Sequence, residues 1–337
     1  MYKTPLVVAA LTALLVVAIL LLSMVARSPE TPPILQTDQA AVADGQVAIP
    51  GFLARSFPDT DFSTAAPAVS GILSGGPGKD GIPALENPQF VPVSEFVGSP
   101  AVQAIVVQVG NDVKVYPYNI LNWHEIVNDT VGGNPVSVTF CPLCGSAIVY
   151  DRRIDGVVTT LGVSGALIES NMVMYDRATE SLWQQSTGEA LAGVHIGATL
   201  ELFPMQLTTV GEASEKYPHA VVLSQETGYV RDYDRNPYGS YDTDNQQFIF
   251  QPSEFSDALP AKEIMVVFKV NEQVVATQWN AFSDGEVQSY DIDGERIVLS
   301  KDDGELTVAT GGGGIVPFYF EMWFSVSVQH GEDLLVI

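Results

Sequence analysis

The chain has 337 residues, with 40 acidic side chains against 15 basic ones and a formal net charge of −25. That balance excludes general binding to nucleic acid, whose phosphates nothing here would neutralise, and it opposes docking on anionic lipid. A hydrophobic fraction of 46% is enough to bury a core, and the length fits one large domain or two modest ones in a well-solvated acidic protein.

Residues 6–26, LVVAALTALLVVAILLLSMVA, form an apolar run without a charge. It matches the roughly 20 residues that a membrane-spanning helix needs. A cleaved signal peptide is the alternative, but its apolar region would be about 7–15 residues long, and no A-x-A site follows. The expectation is an uncleaved N-terminal transmembrane anchor within residues 1–27, with the bulk of the chain extracytoplasmic, in a periplasm or at a cell surface. Lys3 and Arg27 nearly balance across the run, so the reverse orientation stays open. Residues 28–78 are rich in Pro, Ser, Thr, Ala and Gly, which reads as a flexible stalk.

From residue 79 onward the pattern is mainly β, a β-rich α+β domain of antiparallel sheets with a few short helices. AIVVQVGNDVKVYPY (104–118) reads as a hairpin. PVSVTF, SAIVYD, VVTTLGV, HAVVLS, IMVVFKV and RIVLS read as further strands. Short helices are expected within 118–126 and 207–217. A weak repeat pairs AIVVQVGNDVKVYPYNIL (104–121) with EIMVVFKVNEQVVATQWNAF (263–282). It also aligns 203–224 on 316–337 without a gap. An internal duplication, about 79–224 and 225–337, would account for it.

The chain's two cysteines, Cys141 and Cys144, lie in VTFCPLCGSAIVY. Pro142 fixes φ and starts a turn, and Gly145 allows a left-handed backbone. β-Branched flanks on both sides predict a strand–turn–strand knuckle. A thioredoxin-like pair would instead open a helix, whose N-terminus lowers a thiol pKa. A knuckle suits a soft or borderline metal, copper or zinc, but a closed zinc site takes four ligands. The expected set is Cys141, Cys144 and His124, with Met172 and Met174 as thioether candidates on one strand face. A thiol–disulfide redox protein using the same pair is the alternative, and a non-catalytic binding or scaffold domain is the third reading.

Other constellations are weaker. Glu125 and Asp129 stand i, i+4 and would share a helix face as an acid/base pair. His-Glu at 124–125 lacks the second His of a zincin helix. Ser164 in GVSGA stands in an incomplete nucleophile elbow. YDRATESLWQQSTGEA (175–190) would line a pocket or pin a loop to the sheet.

Taken together, KDGIPALENPQF, YPYNILNWHEIVND, PVSVTFCPLCGSAIVYDR, SGALIESNMVMYDRATESLWQQSTGEALAG and YPHAVVLS resemble the DUF3179 family of bacterial and archaeal proteins. The resemblance covers about 80–250, with a weaker tail to 337. It implies no established activity. It implies a set of recurring polar positions: His124, Glu125, Asn128, Asp129, Cys141, Cys144, Ser164, Asp176, Arg177, Trp183 and Gln185. The family's tryptophans in the segment reading TTVGEASEKYP are missing here, which puts any aromatic contact there in doubt.

Overall fold

The computed structural model describes residues 47–337, so the expected membrane segment at 6–26 lies outside the described residues. Among the described residues no helix is long and apolar enough to cross a membrane. The chain is mostly β, with antiparallel and mixed sheets and a few short helices.

Two sets of strands share one plan. In the first, Gln103–Val109 and Asp112–Pro117 form a hairpin whose turn uses Gly110 at φ +60°. The strand Gln206–Thr209 returns antiparallel to Gln103–Val109, with Leu207 facing Ile105. The helix Val210–Lys216 follows, its start closed by reciprocal bonds between Thr209 and Glu212. Val221–Leu223 then lies parallel to Asp112–Pro117. In the second set, Ile264–Val270 and Gln273–Gln278 pair as a hairpin, and Phe318–Met322 returns with Phe320 facing Val266. The helix Trp323–His330 leads to Leu334–Val336, parallel to Gln273–Gln278. Strand order and directions are the same in both sets. Leu207 and Phe320 are also the residues that the ungapped repeat alignment superimposes.

The sets differ in what they insert between hairpin and return strand. The second holds a three-stranded meander, Val287–Ile292, Glu295–Asp302 and Glu305–Thr310. The first holds a much longer excursion. Its strands Ile126–Val131, Asn134–Cys141 and Ser146–Asp151 join the second set through Phe320 and Ala147, completing a seven-stranded sheet. Leu161–Ile168, Asn171–Asp176, Leu182–Gln184 and Ala190–Ala192 build another antiparallel sheet beside it.

Asn134–Cys141 is buried along nearly its whole length. With side chains alternating across the strand, Val136, Val138 and Phe140 fill one apolar core, while Cys141 lies in a second with Ile148, Tyr150, Met172 and Met174. The turn with the cysteines is therefore set inside the protein.

The stretch expected as a stalk is folded from residue 47 onward. It contains the helix Gly51–Ser56, a 3₁₀ turn at Pro67–Gly71, and the strand Leu73–Ser74 paired with Leu161–Ile168. Leu53, Phe57 and Val69 are fully buried against Tyr175 and Leu182. These anchors are single apolar residues spaced among Pro and Gly, so they leave no periodic signal. Between Leu223 and Ile264 runs a long segment without helix or strand. Its aromatic residues, among them Tyr233, Tyr241 and Phe248, pack onto the two main cores.

Candidate thiol site

Cys141 ends one strand and pairs with Ser146, which starts the next, so Pro142–Gly145 forms the expected knuckle. Gly145 has φ +60°, and a Cβ there would meet the Met322 side chain at 2.9 Å. Both facts require glycine. Met322 also donates its backbone N–H to the Cys144 carbonyl at 2.9 Å, so the second strand set holds the turn from outside. On another side the Tyr241 hydroxyl donates to the Leu143 carbonyl at 2.7 Å. Cys141 and Cys144 are 1% and 0% exposed, and they are not bonded to each other.

The two sulfurs have different surroundings. Asn171 Nδ2 donates to Cys144 Sγ at 3.2 Å, and Ser146 Oγ lies 3.0 Å from the same sulfur. Both groups are fixed in turn. Gln185 Oε1 accepts from Ser146 Oγ at 2.5 Å and from Asn171 Nδ2 at 2.7 Å. Gln185 is oriented by its own donations to Thr139 Oγ1 and the Ser146 carbonyl. Asn171 Oδ1 accepts from the Ser186 N–H at 2.9 Å, which turns the amide's NH₂ end toward the sulfur. Cys141 Sγ donates to the Ser170 carbonyl at 3.6 Å, an acceptor that favours the protonated thiol, and the same thiol also faces Cys144 as a donor. Burial pushes both thiols up. For Cys144, hydrogen bonds from Cys141, Ser146 and Asn171 outweigh burial and bring the thiol down to about 7. Cys141, buried beside Cys144, stays well above the usual thiol range.

Two buried carboxyls flank the pair. Glu125 follows the helix Tyr118–His124 at φ +59°, pinned by Phe140 N–H donating to its carbonyl at 2.8 Å. Its side chain accepts from the Tyr238 hydroxyl at 3.5 Å. Glu321 accepts from Ser325 Oγ and Ser186 Oγ, each at 2.6 Å. Burial, and then the nearby charge of Cys144, raises both carboxyls to about 8.

The structure does not bring His124 to the thiols. Its Nδ1 pairs with the Pro83 carbonyl at 2.8 Å and its Nε2 with the Tyr233 hydroxyl at 2.7 Å, and burial lowers its pKa. Met172 and Met174 point to one side of their strand and share the apolar cluster of the cysteines. Among the described residues no three His, Cys, Asp or Glu side chains gather as a metal-ligating group. Glu125 and Asp129 do not share a helix face. The positive φ at Glu125 ends the helix, and Asp129 sits on the next strand, bonded to Lys114 and Tyr116.

The remaining sequence candidates are ties of the fold. Asn128 accepts from Ser137 and from the Leu161 N–H and donates to the Leu161 carbonyl. Ser164 Oγ donates to the Val173 carbonyl beside a bulge. Asp176 accepts from Thr179 and from the fully buried Trp183 Nε1. Arg177 pairs with Asp80 and Glu86. Of the polar positions outside the knuckle, Gln185 alone belongs to the network around Cys144. Sequence reading missed Ser146, Asn171, Thr139, Ser186 and Glu321. Ser146 adjoins the knuckle and Asn171 sits in the quoted SNMVMYD, but Glu321 lies far along the chain in an ordinary apolar run.

A cavity of about 620 Å³ adjoins the turn, lined there by Pro142, Gly145, Tyr238 and Tyr241. The family model described as "Protein of unknown function (DUF3179)" matches residues 79–313. No curated protein and no solved structure matches the chain.

Proposed function

The chain belongs to the DUF3179 family, and from that premise we propose that Cys141 and Cys144 form a thiol–disulfide exchange centre. The observation that carries the reading is the asymmetry of the two sulfurs. Cys144 Sγ accepts from Asn171 and lies 3.0 Å from the Ser146 hydroxyl, both groups held by Gln185, whereas Cys141 meets the Ser170 carbonyl and Cys144 itself as a donor. A thiolate is the attacking species in exchange, and donors to sulfur stabilise it. The Ser146 hydroxyl serves either form: it donates to Gln185 when Cys144 is a thiol and turns to the sulfur when the proton leaves.

The exchange runs in two displacements. Cys144 thiolate attacks a disulfide R–S–S–R′, forming a Cys144–S–R bond and releasing R′S⁻, which takes up a proton. Cys141 then loses its proton, attacks Cys144 Sγ, and releases RS⁻, which takes that proton. The protein gains a disulfide and the substrate gains two electrons. The chain runs the reverse with a dithiol donor. An anchored protein with its bulk outside the cytoplasm would meet such disulfides there. A copper or zinc ion would find two sulfurs here and no His, Asp or Glu gathered with them among the described residues.

The test is equilibration of the full chain, in detergent, with dithiothreitol and then glutathione buffers of graded oxidation, followed by acid quench and thiol counting. A transition of both thiols in the exchangeable range, about −270 to −120 mV, is expected. Thiols that stay reduced or stay oxidised across that range overturn the reading.

A further inference from the structure

We propose that the 620 Å³ cavity beside the knuckle is the substrate site of the exchange centre, and that it takes a neutral or cationic peptide segment carrying a disulfide or thiol. The inference rests on the exchange reading and adds what the centre exchanges with.

The first support is placement. Cys141 and Cys144 lie one layer beneath the cavity wall, and Pro142 and Gly145 of their own turn form part of it. The second is the origin of the walls. Gln103 begins the hairpin of the first strand set and Ile264 begins that of the second, and both line the cavity. It thus opens where the two equivalent sets meet, a usual position for a ligand pocket. The volume falls within the ~300–1,000 Å³ range of ligand pockets, room for a few residues of extended chain rather than for a folded surface.

The chemistry of the lining selects the ligand. Tyr118 is stacked on Phe140 with ring centroids 4.0 Å apart, and both face the cavity with Ile264 and Met322. Such walls suit apolar and aromatic side chains. Asn119 and Asn122 add amide groups that match a peptide backbone. The cavity's ammonium is already engaged. Lys262 Nζ donates to the carbonyls of Tyr241 and Gln247 and lies over the Tyr241 ring. The exposed charges at the rim are Asp234 and Asp242, on a protein of net charge −25. Anionic small disulfides are repelled by such a field, and cationic segments are drawn into it.

Tyr241 is the cover between cavity and sulfur, through its bond to the Leu143 carbonyl. A bound segment reaches Cys144 when that bond opens.

The experiment uses reduced full chain in excess over peptides whose single cysteine is a mixed disulfide with thionitrobenzoate. One peptide has Phe and Lys around the cysteine, the other Phe and Glu. Release of thionitrobenzoate is followed as protein concentration rises. At low salt the lysine peptide is expected to half-saturate at about a tenth of the concentration of the glutamate peptide, with the gap closing in 0.5 M salt. Filling the cavity with Asn122→Trp is expected to raise half-saturation for the lysine peptide about ten-fold, with the dithiothreitol equilibrium of the pair unchanged. Ala101→Trp, at an exposed position on the same wall, makes the same test if Asn122→Trp does not fold. Filled variants that saturate like the natural chain overturn the site. Equal half-saturation for the two peptides overturns the ligand class. A natural chain that exchanges with neither peptide nor dithiothreitol overturns the exchange reading beneath both.

Discussion

At Cys144 a few hydrogen bonds reverse what burial alone would do to a thiol. Replacing Asn171 with Leu removes one locked donor, so the Cys144 pKa should move up from about 7. Alkylation rate against pH reads this directly, and an inflection that stays near 7 would count against the assignment. The carboxyls carry the opposite sign. Glu125 and Glu321 are raised to about 8 from an ordinary value of 4.5. A raised folded pKa contributes stability that is full below the unfolded value and is lost as pH rises through the folded one. Stability should therefore fall between pH 4.5 and 8, by up to about 1.4 kcal/mol per pH unit for each group. Glu125→Gln should flatten part of that slope in denaturant midpoints measured across the range. Gly145→Ala meets both a left-handed φ and Met322, and should cost about 2 kcal/mol in the same measurement.

The hairpin and the segment roofing it set the scale of elements. Asn134–Cys141 and Ser146–Asp151 are ordinary strands, and their knuckle was readable because β-branched flanks around Cys-Pro and Cys-Gly leave a turn little alternative. The helix 118–126 was readable in its start but not its end. A positive φ at a glutamate has no sequence signature, and it sends Glu125 toward the thiols and Asp129 onto another strand. The partners of Cys144 were illegible for a different reason. Asn171 and Gln185 reach it only through sheet pairing and packing across long gaps in the chain. The roof makes its own prediction. Tyr241→Phe removes the bond to the Leu143 carbonyl while keeping the ring, so cysteine alkylation in the native state should quicken several-fold with stability changed by about 1 kcal/mol. Unchanged alkylation would mean that the cover opens elsewhere.

Over the whole molecule, composition and alternation indicated a β-rich chain, and the faint repeat coincided with two strand sets of one topology. Local pattern could not show that the cysteine hairpin leaves the set it follows in sequence and joins the sheet of the other. Nor could it show the packing of 47–78, where Leu53, Phe57 and Val69 stand apart from any period. Deleting residues 1–78 should uncover Tyr175 and Leu182 and lower stability by several kcal/mol, read as a fall in Tm. A truncated chain with unchanged Tm would contradict that packing.

The bond from Met322 N–H to the Cys144 carbonyl, with Glu321 beside it on the same strand, has a consequence for biogenesis. Synthesis runs from the N-terminus, so both cysteines exist long before the strand that clasps their turn. During that interval the pair is an open dithiol in an incomplete chain, exposed to any oxidant in its compartment. Only when the strand Phe318–Met322 arrives does the nascent chain acquire a clasped pair.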